Sequence, residues 1–332
     1  MAVGLLVLLT AAAPGARVST PRTWPFVPPD SLRSPKKRAL PRLWADGLAC
    51  STGCRAPGAV SGWPIRPFRR QHVLRAGLNE LRPGNLHSGV DIMARDGTPV
   101  YAIQPGTARV LAASGPDARV QVGNFIYWHI RPRVANGQRV RPYLEVVGTV
   151  LRGQSHLHLS EVAGGRFVNP LRPGGRVLSP WRDSARPVLG RPIFRRRGAV
   201  LIRGFDPQSH DRRRAPVLGL AALAYRLRNE RGRTVGRLRF AFRGSQHLPN
   251  AFRRAIYARG SRPAFAPCAM LPRPCRSRWI YRLAGGLAPR LRPRSRRVYT
   301  LTAYAWDWKG NVSAIDRRVV YVRGEPFVSV GR

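Results

Sequence analysis

Acidic residues are scarce in this chain: 15 Asp and Glu stand against 59 Lys and Arg, for a formal charge of +44 over 332 residues. A field of that sign attracts polyanions, with nucleic acid and an anionic cell wall as the two candidates. The usual signatures of nucleic-acid recognition are missing. The arginines are spread along the whole chain, and no helix-turn-helix, zinc-finger or RNP-like motif accompanies them. This distribution predicts diffuse attraction to wall polymers and no specific nucleic-acid binding.

Long apolar runs are missing too. The stretch Val3 to Leu9, continued by Ala11 to Ala16, is too short to span a bilayer and ends in small residues, as a secretory signal does. No basic residue precedes it, and Arg17 follows it. Met1 to Ala16 is therefore predicted to be a signal peptide, leaving a mature chain with no transmembrane span. Cysteine is sparse, with 4 residues in two local pairs, Cys50/Cys54 and Cys268/Cys275. Export favours local disulfides, with three connectivities open, and neither pair has the Cys-x-x-Cys spacing of a structural zinc site.

What the chain does have is an ordered set of histidines. Of the 7 in the sequence, His87, His129, His156 and His158 lie between Leu86 and Leu159. His156-Leu157-His158-Leu159 alternates with the period of a half-buried strand, with the leucines inward and both imidazoles on the other face. Two residues of strand separate those imidazoles by roughly 6.6 Å, close enough for one to bind a metal and the other to face its open position. Imidazole and carboxylate are zinc ligands, and a catalytic zinc keeps three of them plus water. Two His and one Asp fill that set. No His-Glu-x-x-His stretch is present to supply a general base, which leaves His129 and one of the His156/His158 pair for proton transfer and oxyanion stabilisation.

His87-x-x-x-Asp91, then Tyr127-x-His129, then His156-x-His158 resembles, in order, the motif set of the lysostaphin-type zinc metallopeptidases, which cut peptide bonds in bacterial peptidoglycan. Gly97-Thr98-Pro99-Val100-Tyr101-Ala102, Gly106, Asn136-Gly137-Gln138-Arg139-Val140 and Val168-Asn169-Pro170 add to the likeness, which covers roughly Trp63 to Pro173. The resemblance implies one zinc ion per chain held by His87, Asp91 and His158, with His129 and His156 flanking the attacking water. It implies peptidoglycan and anionic wall polymers as partners and a wall-associated, extracytoplasmic location. Relatives usually carry a longer Gly/Ser/Thr-rich loop before His-x-His; here only Arg152-Gly153-Gln154-Ser155 precedes it. A non-catalytic wall-binding adaptor on the same fold is the alternative, although such relatives have generally lost metal ligands that this chain keeps. His72, His210 and His247 lack such company and read as surface or loop residues.

The predicted fold is mainly β. Residues 17 to 62, rich in Pro, Arg and Ser, read as a tether. Residues 63 to 174 form the peptidase domain, an antiparallel, barrel-like sheet with the duplicated hybrid motif that the resemblance implies. Its predicted strands are Val100 to Ile103, Thr107 to Ala112, Arg119 to Val122, Phe125 to Ile130, Glu145 to Val150 and His156 to Val162. Residues 175 to 192 read as a linker. Residues 193 to 328 read as an immunoglobulin- or fibronectin-like β-sandwich with strands at Val200 to Phe205, Ala222 to Leu227, Arg237 to Phe242, Trp279 to Leu283, Val298 to Trp306 and Arg318 to Val322. That second region holds no catalytic cluster and reads as accessory, so residues 17 to 174 are expected to suffice for zinc binding and cleavage. Asp307 and Asn311 read as parts of a turn at Lys309-Gly310-Asn311 rather than as calcium ligands. The sequence leaves the oligomeric state open.

Overall fold

The computed structural model describes residues 55–195, 199–209, 215–262, 279–284, 297–322 and 325–327. The predicted signal peptide, most of the tether, all four cysteines and His210 lie outside the described residues. No helix among the described residues is long and apolar enough to cross a membrane.

The chain is mainly β, and every strand pair is antiparallel. Strands up to Val168 are β1 (Leu74–Ala76), β2 (Val90–Met93), β3 (Pro99–Tyr101), β4 (Gly106–Ala112), β5 (Arg119–Val122), β6 (Phe125–Trp128), β7 (Ile130–Pro132), β8 (Arg139–Val140), β9 (Val146–Val150), β10 (His156–Ala163) and β11 (Arg166–Val168). They make a large sheet in the order β1-β2-β10-β6-β5-β4-β8, with β11 beside β10, and a small sheet β3-β9-β7. Beyond them come β12 (Val188–Leu189), β13 (Ile193–Phe194), β14 (Val200–Pro207), β15 (Val217–Leu218), β16 (Ala222–Asn229), β17 (Thr234–Arg243), the four-residue helix α1 (Arg253–Ile256), β18 (Ile280–Ala284), β19 (Arg297–Trp306), β20 (Val312–Val322) and β21 (Glu325–Phe327). One sheet is built on β14, which pairs with β12, β13, β15 and β18; the other runs β17-β16-β19-β20-β21.

The twelve predicted strands are present with their ends shifted, because a β-prone run bounded by turn residues is a local property that survives into the fold. One differs in a way that matters. The predicted strand Phe125 to Ile130 is broken at His129, whose φ is 60°, so β6 stops at Trp128 and β7 starts at Ile130 in another sheet. Histidine tolerates this left-handed conformation better than a β-branched residue would.

The two regions share their cores. One apolar cluster gathers Trp63, Ile92, Tyr127, Leu157 and Leu159 together with Leu178, Trp181, Leu218, Ala221 and Trp308 from later in the chain. A second cluster, built on β14, β16 and β19, takes in Leu86 from the segment that precedes β2. Residues 175 to 192 are part of this packing: Val177, Leu178 and Trp181 are buried in the first cluster. Burying each such large side chain stabilises the fold by about 1.5–3 kcal/mol. Nearby, Glu161 and Arg172 form a fully buried bidentate ion pair at 2.6 and 2.7 Å. Burial pushes the Glu161 carboxyl up despite that partner.

Candidate metal centre

Strand register assembles the site. β10 lies between β2 and β6, with His158 directly opposite Asp91 on one side and opposite Trp128 on the other. Directly paired residues on neighbouring strands point to the same face, so Asp91 and His158 project together, and His156 projects two residues away on that face. His87 reaches the cluster from the turn before β2. Its companion Gly89 must be glycine, because a Cβ there would collide with the Leu159 carbonyl oxygen and crowd His158 Nε2 at 2.9 Å. His129 follows β6, and its left-handed backbone turns the ring toward β10.

The fold brings together all five residues singled out in the sequence. His87 Nε2 lies 2.9 Å from Asp91 Oδ1 and 2.8 Å from His158 Nδ1, and the last two atoms are 3.0 Å apart. All three side chains are buried. The His156 Nε2 is 3.7 Å from Asp91 Oδ1. The His129 ring stands 4.9 Å from that of His156 and 6.0 Å from that of His158, centroid to centroid.

Each of these rings is held from behind. His87 Nδ1–H donates to the Gly77 carbonyl at 2.8 Å, His129 Nδ1–H donates to the Pro116 carbonyl at 2.7 Å, and His156 Nδ1 lies 2.5 Å from the Gln154 carbonyl. His158 Nε2 is 2.9 Å from Ser160 Oγ. Such contacts fix the orientation and tautomer of a metal-binding imidazole. They also expose a conflict. With its proton committed to Gly77, His87 offers a lone pair at Nε2 to another acceptor, Asp91 Oδ1. Protonation does not resolve it: burial pulls His87 down and takes His156 and His158 to about 4, so the imidazoles are neutral near pH 7. Burial works to raise Asp91, but its close contacts with His87 and His158 outweigh it and hold the carboxyl well below its usual range. Two imidazole nitrogens and a carboxylate oxygen crowded into one buried spot are a donor set that fits a divalent zinc ion.

The carboxylates nearest in sequence are occupied elsewhere. Glu161, on the opposite face of β10, is paired with Arg172. Asp96 accepts the backbone N–H groups of Gly153 and Ser155 at 2.7 and 2.9 Å, which ties down the short connection ahead of β10. Of the remaining histidines, His72 packs against Trp63 and His247 against Phe167, with Nε2 contacts to backbone carbonyls of Pro67 and Leu86.

Sequence reasoning missed the supporting groups. Arg82 donates to Asp91 Oδ2 at 2.9 Å, and Arg75 Nη1 lies 3.0 Å from His156 Nδ1. Glu80 Oε1 accepts the N–H groups of Gly77 and Gly219 at 2.7 and 2.8 Å, joining the backbone that anchors His87 to the segment ahead of β16. Burial raises the Glu80 carboxyl to about 7. No local pattern marks these residues, and Arg75 and Arg82 are hidden among 59 basic side chains.

No protein-family profile matches the chain, and no curated protein matches it. Solved structures similar to it include one assigned to peptidase M23 from Pseudomonas aeruginosa, at 24% identity over 33% of this chain and 52% of that one, with a TM-score of 0.23. The antimicrobial peptidase lysostaphin from Staphylococcus simulans is similar at 17% identity, covering 53% of this chain and 75% of that one, with a TM-score of 0.26. A solution structure of lysostaphin covers 82% of this chain and 100% of its own at 13% identity, with a TM-score of 0.27. This chain therefore spans about half the length of the Pseudomonas structure. At these TM-scores the likenesses carry no weight, and the chemistry stands on the site's own atoms.

Proposed function

We propose that the chain is a zinc-dependent endopeptidase hydrolysing peptide bonds in bacterial cell-wall peptidoglycan. The observation that carries this reading is the convergence of His87 Nε2, Asp91 Oδ1 and His158 Nδ1 within 2.8–3.0 Å of one another. A zinc ion held by these three residues supplies a Lewis acid that polarises a scissile carbonyl and makes water a better nucleophile.

The protein's own groups do the rest. His129 and His156 keep Nδ1 turned to backbone carbonyls, which leaves Nε2 of each ring for proton transfer. One accepts the proton of the attacking water and returns it to the leaving amine, and the other, with Nε2 protonated, donates to the oxyanion as charge develops on the carbonyl oxygen. Neutral His156 suits the first step, since burial lowers it to about 4. The peptidoglycan substrate follows from the motif resemblance, and the formal charge of +44 draws the chain to anionic wall polymers. A secreted, wall-associated location belongs to the same proposal.

Purified peptidoglycan incubated with the zinc-loaded full chain should release soluble fragments and new amino groups. His129→Ala and His156→Ala should each keep zinc while turning over about 10²-fold more slowly, as expected for a lost acid/base or oxyanion group. Zinc-loaded protein that binds peptidoglycan without releasing amino groups would make it an adaptor instead.

A further inference from the structure

β14 alternates buried and half-buried positions, and its inward face reads Val200, Ile202, Gly204, Asp206. Three of these suit a core. The fourth is a carboxylate that is 1% exposed, and neither of its oxygens has a hydrogen-bond partner. An isolated buried carboxylate is among the costliest groups a fold can carry. The charges acting on it make matters worse, because Asp307, Asp183 and Glu80 all push its carboxyl up, in addition to burial.

Two of those neighbours are themselves buried and within reach. Asp183, in the segment before β12, and Asp307, just after β19, each offer a carboxylate oxygen such that the three ligand atoms lie within 4.8 Å of one another. Both are fixed by local backbone. Asp183 Oδ1 accepts the N–H groups of Ala185 and Ser209 at 3.0 and 3.1 Å. Asp307 Oδ1 accepts those of Lys309, Gly310 and Asn311 at 2.7–2.8 Å. Asn311 Nδ2 bridges the two, donating to the Asp183 carbonyl at 2.9 Å and to Asp307 Oδ2 at 2.6 Å. The turn expected at Lys309-Gly310-Asn311 is therefore present, with Gly310 at φ 106°, and its product is a fixed carboxylate aimed at Asp206.

We propose that Asp183, Asp206 and Asp307 bind a hard divalent cation, calcium, that ties β14 to the chain before β12 and after β19. An all-oxygen set selects such a cation over zinc or copper, which prefer nitrogen and sulfur. Calcium accepts irregular geometry and six to eight oxygens, whereas magnesium demands an octahedron at about 2.0–2.1 Å. Arg176, a cation that acts on Asp307, already donates from its guanidinium to the carbonyls of Leu171 and Trp308. This site is separate from the His87/Asp91/His158 centre and does not depend on it.

The test uses the full chain, stripped with chelator and reloaded with one equivalent of zinc, then titrated with calcium chloride. Calorimetry should find one calcium per chain, and saturation should raise the melting temperature by about 5 °C. Asp206→Asn should abolish that rise while zinc stays at one per chain, and His158→Ala should keep it. Terbium should replace calcium and luminesce on excitation of the adjacent Trp308, and calcium should quench that signal. If Asp206→Asn fails to fold, Asp183→Asn should show the same loss. A wild-type protein indifferent to calcium and terbium overturns the site, as does an undiminished response in the variants.

Discussion

The region up to Pro173 and the region beyond it divide the work unequally. The first holds all five site residues, yet the elements that hold His87 in place reach into the second. Gly77, whose carbonyl orients His87, is tied through Glu80 to Gly219. Asn79 beside it donates to the Gln246 carbonyl and accepts from the Leu248 N–H, and its own carbonyl accepts from the Tyr257 hydroxyl. The five candidate residues sit on or beside one sheet, whereas the groups that hold them are spread over the chain. The second region is a brace for the site and not only a spacer.

The largest test of that contrast is truncation. The motif span alone suggests that residues 17 to 174 suffice, but that fragment loses Val177, Leu178, Trp181, Leu218 and Trp308 from the first apolar cluster. At about 1.5–3 kcal/mol per large side chain, the loss rivals the entire stability of a domain. The fragment should show no cooperative thermal transition and hold no zinc. A fragment that melts cooperatively with zinc bound would restore the accessory role that the sequence suggests.

A single side chain sharpens the same point. Glu80→Ala removes the link between Gly77 and Gly219 without touching a ligand, so zinc affinity should fall about 10–100-fold, the usual effect of disturbing groups that orient metal ligands. Glu80→Gln keeps an oxygen for both N–H groups and should recover most of the loss. Competition with a chromogenic chelator reads both. Equal affinity in Glu80→Ala and wild type would sever the two regions functionally.

The smallest effect lies wholly within the first region. The N–H groups of Gly153 and Ser155 hold Asp96 below its usual range. A depressed carboxyl contributes stability above its unfolded pKa of about 3.9 and loses it as pH falls through the lower folded value. Asp96→Asn should therefore melt lower than wild type at pH 7, with the gap closing as the pH drops below about 4. A gap independent of pH would assign the effect to lost hydrogen bonds alone.

How legible this was in the sequence follows the same division. Alternation in β10 and the β-prone runs of β14 and β16 to β20 are local, and the strands predicted there are present. His87, Asp91 and His158 stand out in the sequence because their motifs are short and ordered, but their convergence depends on the pairing of His158 with Asp91 across two strands, which no spacing reveals. The break at His129 was hidden because Phe125 to Ile130 is uniformly β-prone, and only the left-handed φ ends the strand. Glu80 and Asp183 carry no pattern because they meet Gly219 and Ser209 far along the chain, Asp206 has no hydrogen-bond partner among the described residues to mark it, and Arg82 is one basic residue among many.

The central claim is that His87, Asp91 and His158 together hold one zinc ion. Metal analysis of the purified full chain beside His158→Ala, both refolded with excess zinc and dialysed, tests it most directly. The account requires close to one zinc per chain in the wild type and almost none in the variant. A folded His158→Ala that retains stoichiometric zinc would contradict it.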